Sequence, residues 1–165
     1  MKIDTTRFGP ITIGKEKIIT MPFGMLGFPE EKRYVILHHR EDSPFFWYQS
    51  VDDPALAFVI TSPFLFKPDY SVPVEDTVEQ MSWIEDKDKK GTLELYVVVN
   101  IPKGSPDNMT ANLIGPILIN NRTNQAVQMV ITDSPYSHKF SLVGKNKDDN
   151  TVSSQNKVGD AVSEG

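Results

Sequence analysis

Three histidines and one pair of adjacent aspartates are the side chains of this 165-residue sequence with the most obvious capacity for chemistry. His38 and His39 are neighbours, and successive side chains leave opposite faces of a strand, so a regular strand cannot bring both to one metal ion. His138 stands apart, beside Lys139. A structural or surface role is expected of all three. The sequence contains no cysteine, which removes thiol nucleophiles, thiolate metal sites and disulfides together and suits a reducing compartment. Zinc would then need carboxylates spaced closely around paired histidines, and no such cluster occurs. Asp52 and Asp53 would have to converge on one substrate to serve as acid and base, which neighbouring side chains seldom do. Followed by Pro54, they read as a turn. The glycines form neither a phosphate loop nor a dinucleotide fingerprint. The sequence predicts no enzyme, no cofactor and no metal.

What remains is a chain that acts by binding. Its net charge of −5 is unevenly spread. Residues 41–90 carry 11 acidic and 4 basic side chains, a local net of −7, whereas residues 1–40 carry 7 basic and 4 acidic, a net of +3. Such a middle segment repels phosphate backbones, so no direct nucleic-acid contact is expected, and a basic protein is the better ligand. The plainer alternative is a solvated acidic face. Within the same segment lie Phe45, Phe46, Trp47 and Tyr48. Strand alternation sends Phe46 and Tyr48 one way and Phe45 and Trp47 the other, so one pair is core and the other covers an edge or anchors a partner. Phe64-Leu65-Phe66, between Pro63 and Pro68, poses the same choice.

The elements that must hold these residues are mostly strands. Apolar residues recur with a period of two between Gly, Pro, Asn and Asp. Strands are expected at 11–13, 17–20, 33–38, 46–51, 55–61, 92–101, 117–120 and 126–132. In the clearest, Leu93, Leu95, Val97, Val99 and Ile101 share one face, with Glu94, Tyr96, Val98 and Asn100 on the other. Asn121 to Gln125 reads as a hairpin loop, and Phe8-Gly9-Pro10 and Ser105 to Asn108 as turns. About eight short strands at roughly ten-residue spacing predict an all-β, barrel-like domain of mainly antiparallel strands. One helix is expected from Val74 to Ile84, with Val74, Val78, Met81 and Ile84 as its apolar stripe and Glu75, Asp76 and Glu79 facing water near its positive end. A weaker helical turn is expected at Gly24 to Pro29, and a polar loop at Glu85 to Gly91. Residues 144–165 lack aromatics, Leu and Ile and read as a disordered tail, so the barrel is placed in residues 1–143. An acidic residue and Arg7 interrupt any N-terminal apolar run, so no signal peptide is expected. The longest apolar runs fall far short of the roughly 20 residues of a membrane span. The sequence predicts a cytoplasmic location without membrane contact.

Four segments also carry a resemblance to a known family. Arg7-Phe8-Gly9-Pro10-Ile11, Phe23-Gly24-Met25-Leu26-Gly27-Phe28, Phe46 through Phe58, and Asn112 through Asn120 occur in the order found in the FliW family, with Gln128 and Tyr136 following. The resemblance spans about Lys2 to Leu142, and Gly115 stands where the family usually has Ala. It implies a bacterial flagellar assembly factor with two alternative partners, flagellin and the basic RNA-binding repressor CsrA, and a monomer when free. Bound to this protein, CsrA would no longer repress flagellin mRNA. Among the hallmark residues, Pro54, Gly27, Gly115 and Pro116 read as bends, and Asn112 and Asn120 as side chains that bond to backbone at strand ends. Trp47, Asp52, Asp53, Glu75, Asp76 and Glu79 are the partner-contact candidates. The rival reading is a generic β-barrel module for another protein or a small ligand lodged among its aromatics.

Overall fold

The computed structural model describes residues 1–38, 40–83 and 93–143. His39, Ile84, the loop predicted at 85–91 and the tail predicted at 144–165 lie outside the described residues. The chain is all-β, as its alternation demands. A first hairpin, β1 (Lys2–Thr5) with β2 (Gly9–Thr12), is followed by β3 (Ile19–Thr20), β4 (Arg33–His38), β5 (Phe45–Ser50) and β6 (Ala57–Thr61). The only α-helix among the described residues, α1 (Glu75–Gln80), precedes β7 (Leu93–Asn100), β8 (Thr110–Ala111), β9 (Ile117–Asn120), β10 (Gln125–Gln128) and β11 (Phe140–Ser141).

Strands β7, β6, β5, β4, β3, β10 and β9 neighbour one another in that order, and β9 pairs back onto β7, so seven strands close a ring. All ladders of the ring are antiparallel except β3–β10, which is parallel and brief, with Thr20 opposite Gln125. β8 and β11 extend outward from β7. The expected strands at 17–20 and 126–132 are shorter in the fold: Lys15–Lys17 forms a 3-10 turn, and β10 stops at Gln128. The segment at 24–29 is a tight turn bridged between Met25 and Phe28, not a helix, because Gly24 and Gly27 take φ of +68° and +88°.

Alternation gives the ring two packed faces. Inside lie Ile19, Met21, Met25, Tyr34, Tyr48, Ile60, Ile117, Ile119 and Ala126, with Phe46, Phe58, Tyr96 and Val98 against them. Tyr34 and Tyr48 stack at 4.5 Å with planes 4° apart. Both are fully buried with hydroxyls that find no hydrogen-bond partner among the described residues, and burial pushes both phenols well above their ordinary range. Outside, the first hairpin covers β4 and β5 through Ile3, Ile11 and Ile13 against Val35, Leu37 and Val51. Val97, Val99, Ala111 and Leu113 pack under Tyr70 and Leu142. α1 lays Val78, with flanking Val74 and Met81, over Leu118, Val127 and Met129. The helix ends sooner than its stripe predicts because Ser82 turns to a φ of 58°, which lets Trp83 N–H reach back to the Val78 carbonyl.

Candidate partner-binding surfaces

The contact candidates fall into two groups on different sides of the ring. Trp47 projects from the outer face of β5, between Leu37 of β4 and Val59 of β6. It is half-buried: the Arg7 guanidinium lies 4.1 Å from its ring centre and Phe8 meets it edge-on at 6.3 Å. The indole is thus capped by the tip of the first hairpin, and the exposed ring at this place is Phe8. That hairpin tip also ties to the next turn, where Thr6 N–H donates to the Pro54 carbonyl.

Asp52 and Asp53 do form a turn, and their carboxylates serve different partners. Asp52 accepts from both Nε and Nη2 of Arg33, a two-pronged ion pair at the surface. The hydrogen bond and charge of Arg33 hold the Asp52 carboxyl below the usual carboxylate range. Asp53 Oδ1 accepts from the Ala55 N–H. The turn is fastened from beneath by Gln49, which is fully buried and whose Nε2 lies 3.0–3.3 Å from the carbonyls of Ser50, Asp53, Pro54 and Leu56. Ser50 Oγ accepts from the Asp52 and Asp53 amides. The Asp52 carboxylate is thus tied to β4 through Arg33 and that of Asp53 to the turn backbone.

Glu75, Asp76 and Glu79 sit on α1, across the ring from Trp47 and the turn. All three are exposed, as the apolar stripe predicts, and none enters an ion pair among the described residues. Two acidic groups fall in the first turn of a six-residue helix. The structure thus brings Trp47, Asp52 and Asp53 near one hairpin tip and leaves the three helix carboxylates as a separate acidic surface.

A third surface escaped the candidate set. The turn at 23–28 seats Met25 in the ring interior and leaves Phe23 and Leu26 each 55% exposed, with Phe28 edge-on to Phe58. Gln128 holds it: Oε1 accepts from Leu26 N–H and Nε2 donates to the Gly115 carbonyl. The signal lay in two glycines set among four apolar residues, Phe23, Met25, Leu26 and Phe28, a run that reads as a weak helical turn. Asn112 and Asn120 bond to backbone as expected, accepting from Ile114 and from Arg122 and Thr123. Among the described residues no group of three or more His, Asp or Glu could hold a metal ion, and His38 ends β4 at the surface against Phe46. No described helix is long and apolar enough to cross a membrane.

A family model described as "FliW protein" matches residues 2–142. A flagellar assembly factor FliW of Syntrophus aciditrophicus is 41% identical over 149 residues, covering 90% of each chain. One from Treponema denticola is 39% identical over 145 residues, covering 88% of this chain and 95% of that one. A crystal structure of the flagellar assembly factor FliW superposes with a TM-score of 0.76 at 36% identity, covering 87% of this chain and 97% of that chain.

Proposed function

We propose that this chain, which belongs to the FliW family of flagellar assembly factors, is a non-enzymatic cytoplasmic partner switch that binds either flagellin or the translational repressor CsrA. With flagellin scarce, the free protein takes up CsrA and flagellin mRNA is translated. With flagellin abundant, the protein is occupied and CsrA is released to repress. The switch needs no chemistry: whichever partner stands higher relative to its dissociation constant takes the shared protein.

The observation that carries this reading is the exposed acidic surface of α1, which enters no ion pair among the described residues. Glu75, Asp76 and Glu79 face outward from a helix whose other side is fixed to β9 and β10, so three exposed carboxylates are presented to a basic partner from a fixed seat. Docking that surface beside an RNA-binding face would put negative charge where phosphates must lie, and would loosen RNA without covering every base contact. The small-ligand alternative draws no support from the ring interior, where Tyr34, Tyr48, Met21 and Met25 are packed to essentially zero exposure.

Capture from a lysate of a flagellated bacterium should recover flagellin and CsrA with the full chain; recovery of neither contradicts the switch. Replacing Glu75, Asp76 and Glu79 by lysine should weaken CsrA binding at least tenfold at low salt and abolish RNA release. Unchanged binding and release would remove the electrostatic part of the account.

A further inference from the structure

β7 is longer than the partner on one of its sides. β6 pairs with it from Val59 opposite Val99 to Thr61 opposite Val97 and then stops. On its other side β7 continues against β9, from Tyr96 opposite Ile117 to Leu93 opposite Asn120. The direction of its backbone groups is set by two bonds. Asn112 N–H donates to the Val98 carbonyl, which places the even-numbered residues of β7 on the β8 and β9 side. Met129 N–H donates to the Pro116 carbonyl, which turns Ile117 and Ile119 toward β7 and pairs them with Tyr96 and Glu94. The N–H and C=O groups of Leu93 and Leu95 therefore point to the side that β6 has left.

The sequence of β6 explains why it leaves. Continued in register, Pro63 would face Leu95, and proline has no N–H to donate. Pro63 instead opens a 3-10 turn and spends its carbonyl on Phe66 and Lys67. The departure opens a groove of about 440 Å³ beside this edge, which is bare among the described residues, lined by Ser62, Phe64, Val74, Leu95, Tyr96 and Glu94 among others. Its walls are largely apolar, and among the described residues its lining includes a carboxylate and no lysine or arginine. Tyr96 Oη donates to Glu94 Oε1, and burial with that neighbouring carboxylate pushes the phenol up to about 12. The exposed Glu75 and Asp76 follow directly on Val74 at the rim.

A short bare strand edge beside an apolar trough accepts an extended chain, because only an extended chain matches the edge's donor and acceptor spacing while dropping alternate side chains into the trough. The carboxylates select its charge. We propose that the Leu93–Leu95 edge of β7 and its groove take an extended segment of a partner protein by strand addition, apolar side chains alternating with lysine or arginine. The proposal rests on the reading that this protein works by binding proteins, and it names the mode and chemistry of one contact.

The probe is a capped six-residue peptide alternating lysine and valine, added to the isotopically labelled full chain. In the free chain the Leu93 and Leu95 amides should exchange with solvent at least a hundredfold faster than those of Val97 and Val99, and the peptide should slow them at least tenfold. An analogue N-methylated at every second peptide nitrogen should lose at least tenfold in affinity, a glutamate–valine peptide should not bind, and Glu94→Lys should weaken the lysine–valine peptide about fivefold. The proposal is overturned if Leu95 is as protected as Val97 in the free chain, if the lysine–valine peptide fails to bind at millimolar concentration, or if the N-methylated analogue binds equally well. Full-length CsrA and flagellin assayed beside it separate the two readings. Their retention with a failed peptide removes only the strand-addition mode, while their loss with a bound peptide removes only the switch.

Discussion

Gln49 shows how a single side chain positions a surface. Its buried amide reaches four carbonyls of the turn that carries Asp52 and Asp53. Gln49→Leu fills the same volume without the donors, and the stranded carbonyls should cost roughly 1 to 3 kcal/mol in urea unfolding. Amide exchange over 52–56 should rise with it; an unchanged midpoint would show that the turn holds itself. Asp52 carries a pH signature. Arg33 lowers its carboxyl in the folded chain, so the contribution of this pair is fully present above the ordinary carboxylate value of about 3.9 and is lost as pH falls through the lowered one. Asp52→Asn should therefore flatten the decline of stability in that acidic window and cost at most about 1 kcal/mol at neutral pH, the pair being half exposed. The turn itself was legible in Asp-Asp-Pro, but Arg33 lies 19 residues upstream, and only the antiparallel register of β4 and β5 places it opposite. The cap over Trp47 was not legible for the same reason, since Arg7 and Phe8 reach it across about 40 residues and no local pattern encodes that contact.

At the scale of elements, the apolar turn at 23–28 depends on two glycines in unequal ways. At both positions φ is positive, which costs an L side chain about 1 kcal/mol or somewhat more. A Cβ on Gly27 meets open space, whereas on Gly24 it would stand 2.6 Å from the Phe28 carbonyl oxygen and 2.7 Å from Pro29 backbone. Gly27→Ala should cost about 1 kcal/mol and Gly24→Ala clearly more, about 3 kcal/mol, with loss of the Leu26–Gln128 bond. Equal midpoints for the two variants in denaturant would refute this. α1 is too short to hold by itself and depends on its seat against Leu118, Val127 and Met129 and on the bond from Trp83 Nε1 to Gln125. Val78→Asp puts an unpaired carboxylate into that seat and should cost about 2 kcal/mol, scrambling the acidic surface before the ring opens. The stripe and the outward carboxylates of this helix were readable from period alone. Its early end was not, because the left-handed turn at Ser82 answers to Trp83 packing rather than to propensity. β8 and β11 were missed because two residues carry no alternation, and β1 because Ile3 is its one strongly apolar residue.

At the scale of the whole molecule, seven of the described strands form a barrel-like ring, and its closure is the least legible feature of all. Periodicity identified the long strands and the all-β class, but the parallel contact of β3 with β10 and the return of β9 to β7 join residues about 100 and 25 positions apart, and nothing local to either strand specifies them. Among the described residues, closure packs the inside of the ring and much of its outside, and its accessible features include turns, the outward side of α1 and the short edge of β7. A molecule so built suits the partner switch proposed above. The most direct test is to titrate flagellin into a preformed complex of the full chain with labelled CsrA and follow release of the label by anisotropy. The account predicts full displacement, with the apparent CsrA dissociation constant rising in proportion to free flagellin. A stable three-component complex in which CsrA affinity does not change would contradict it.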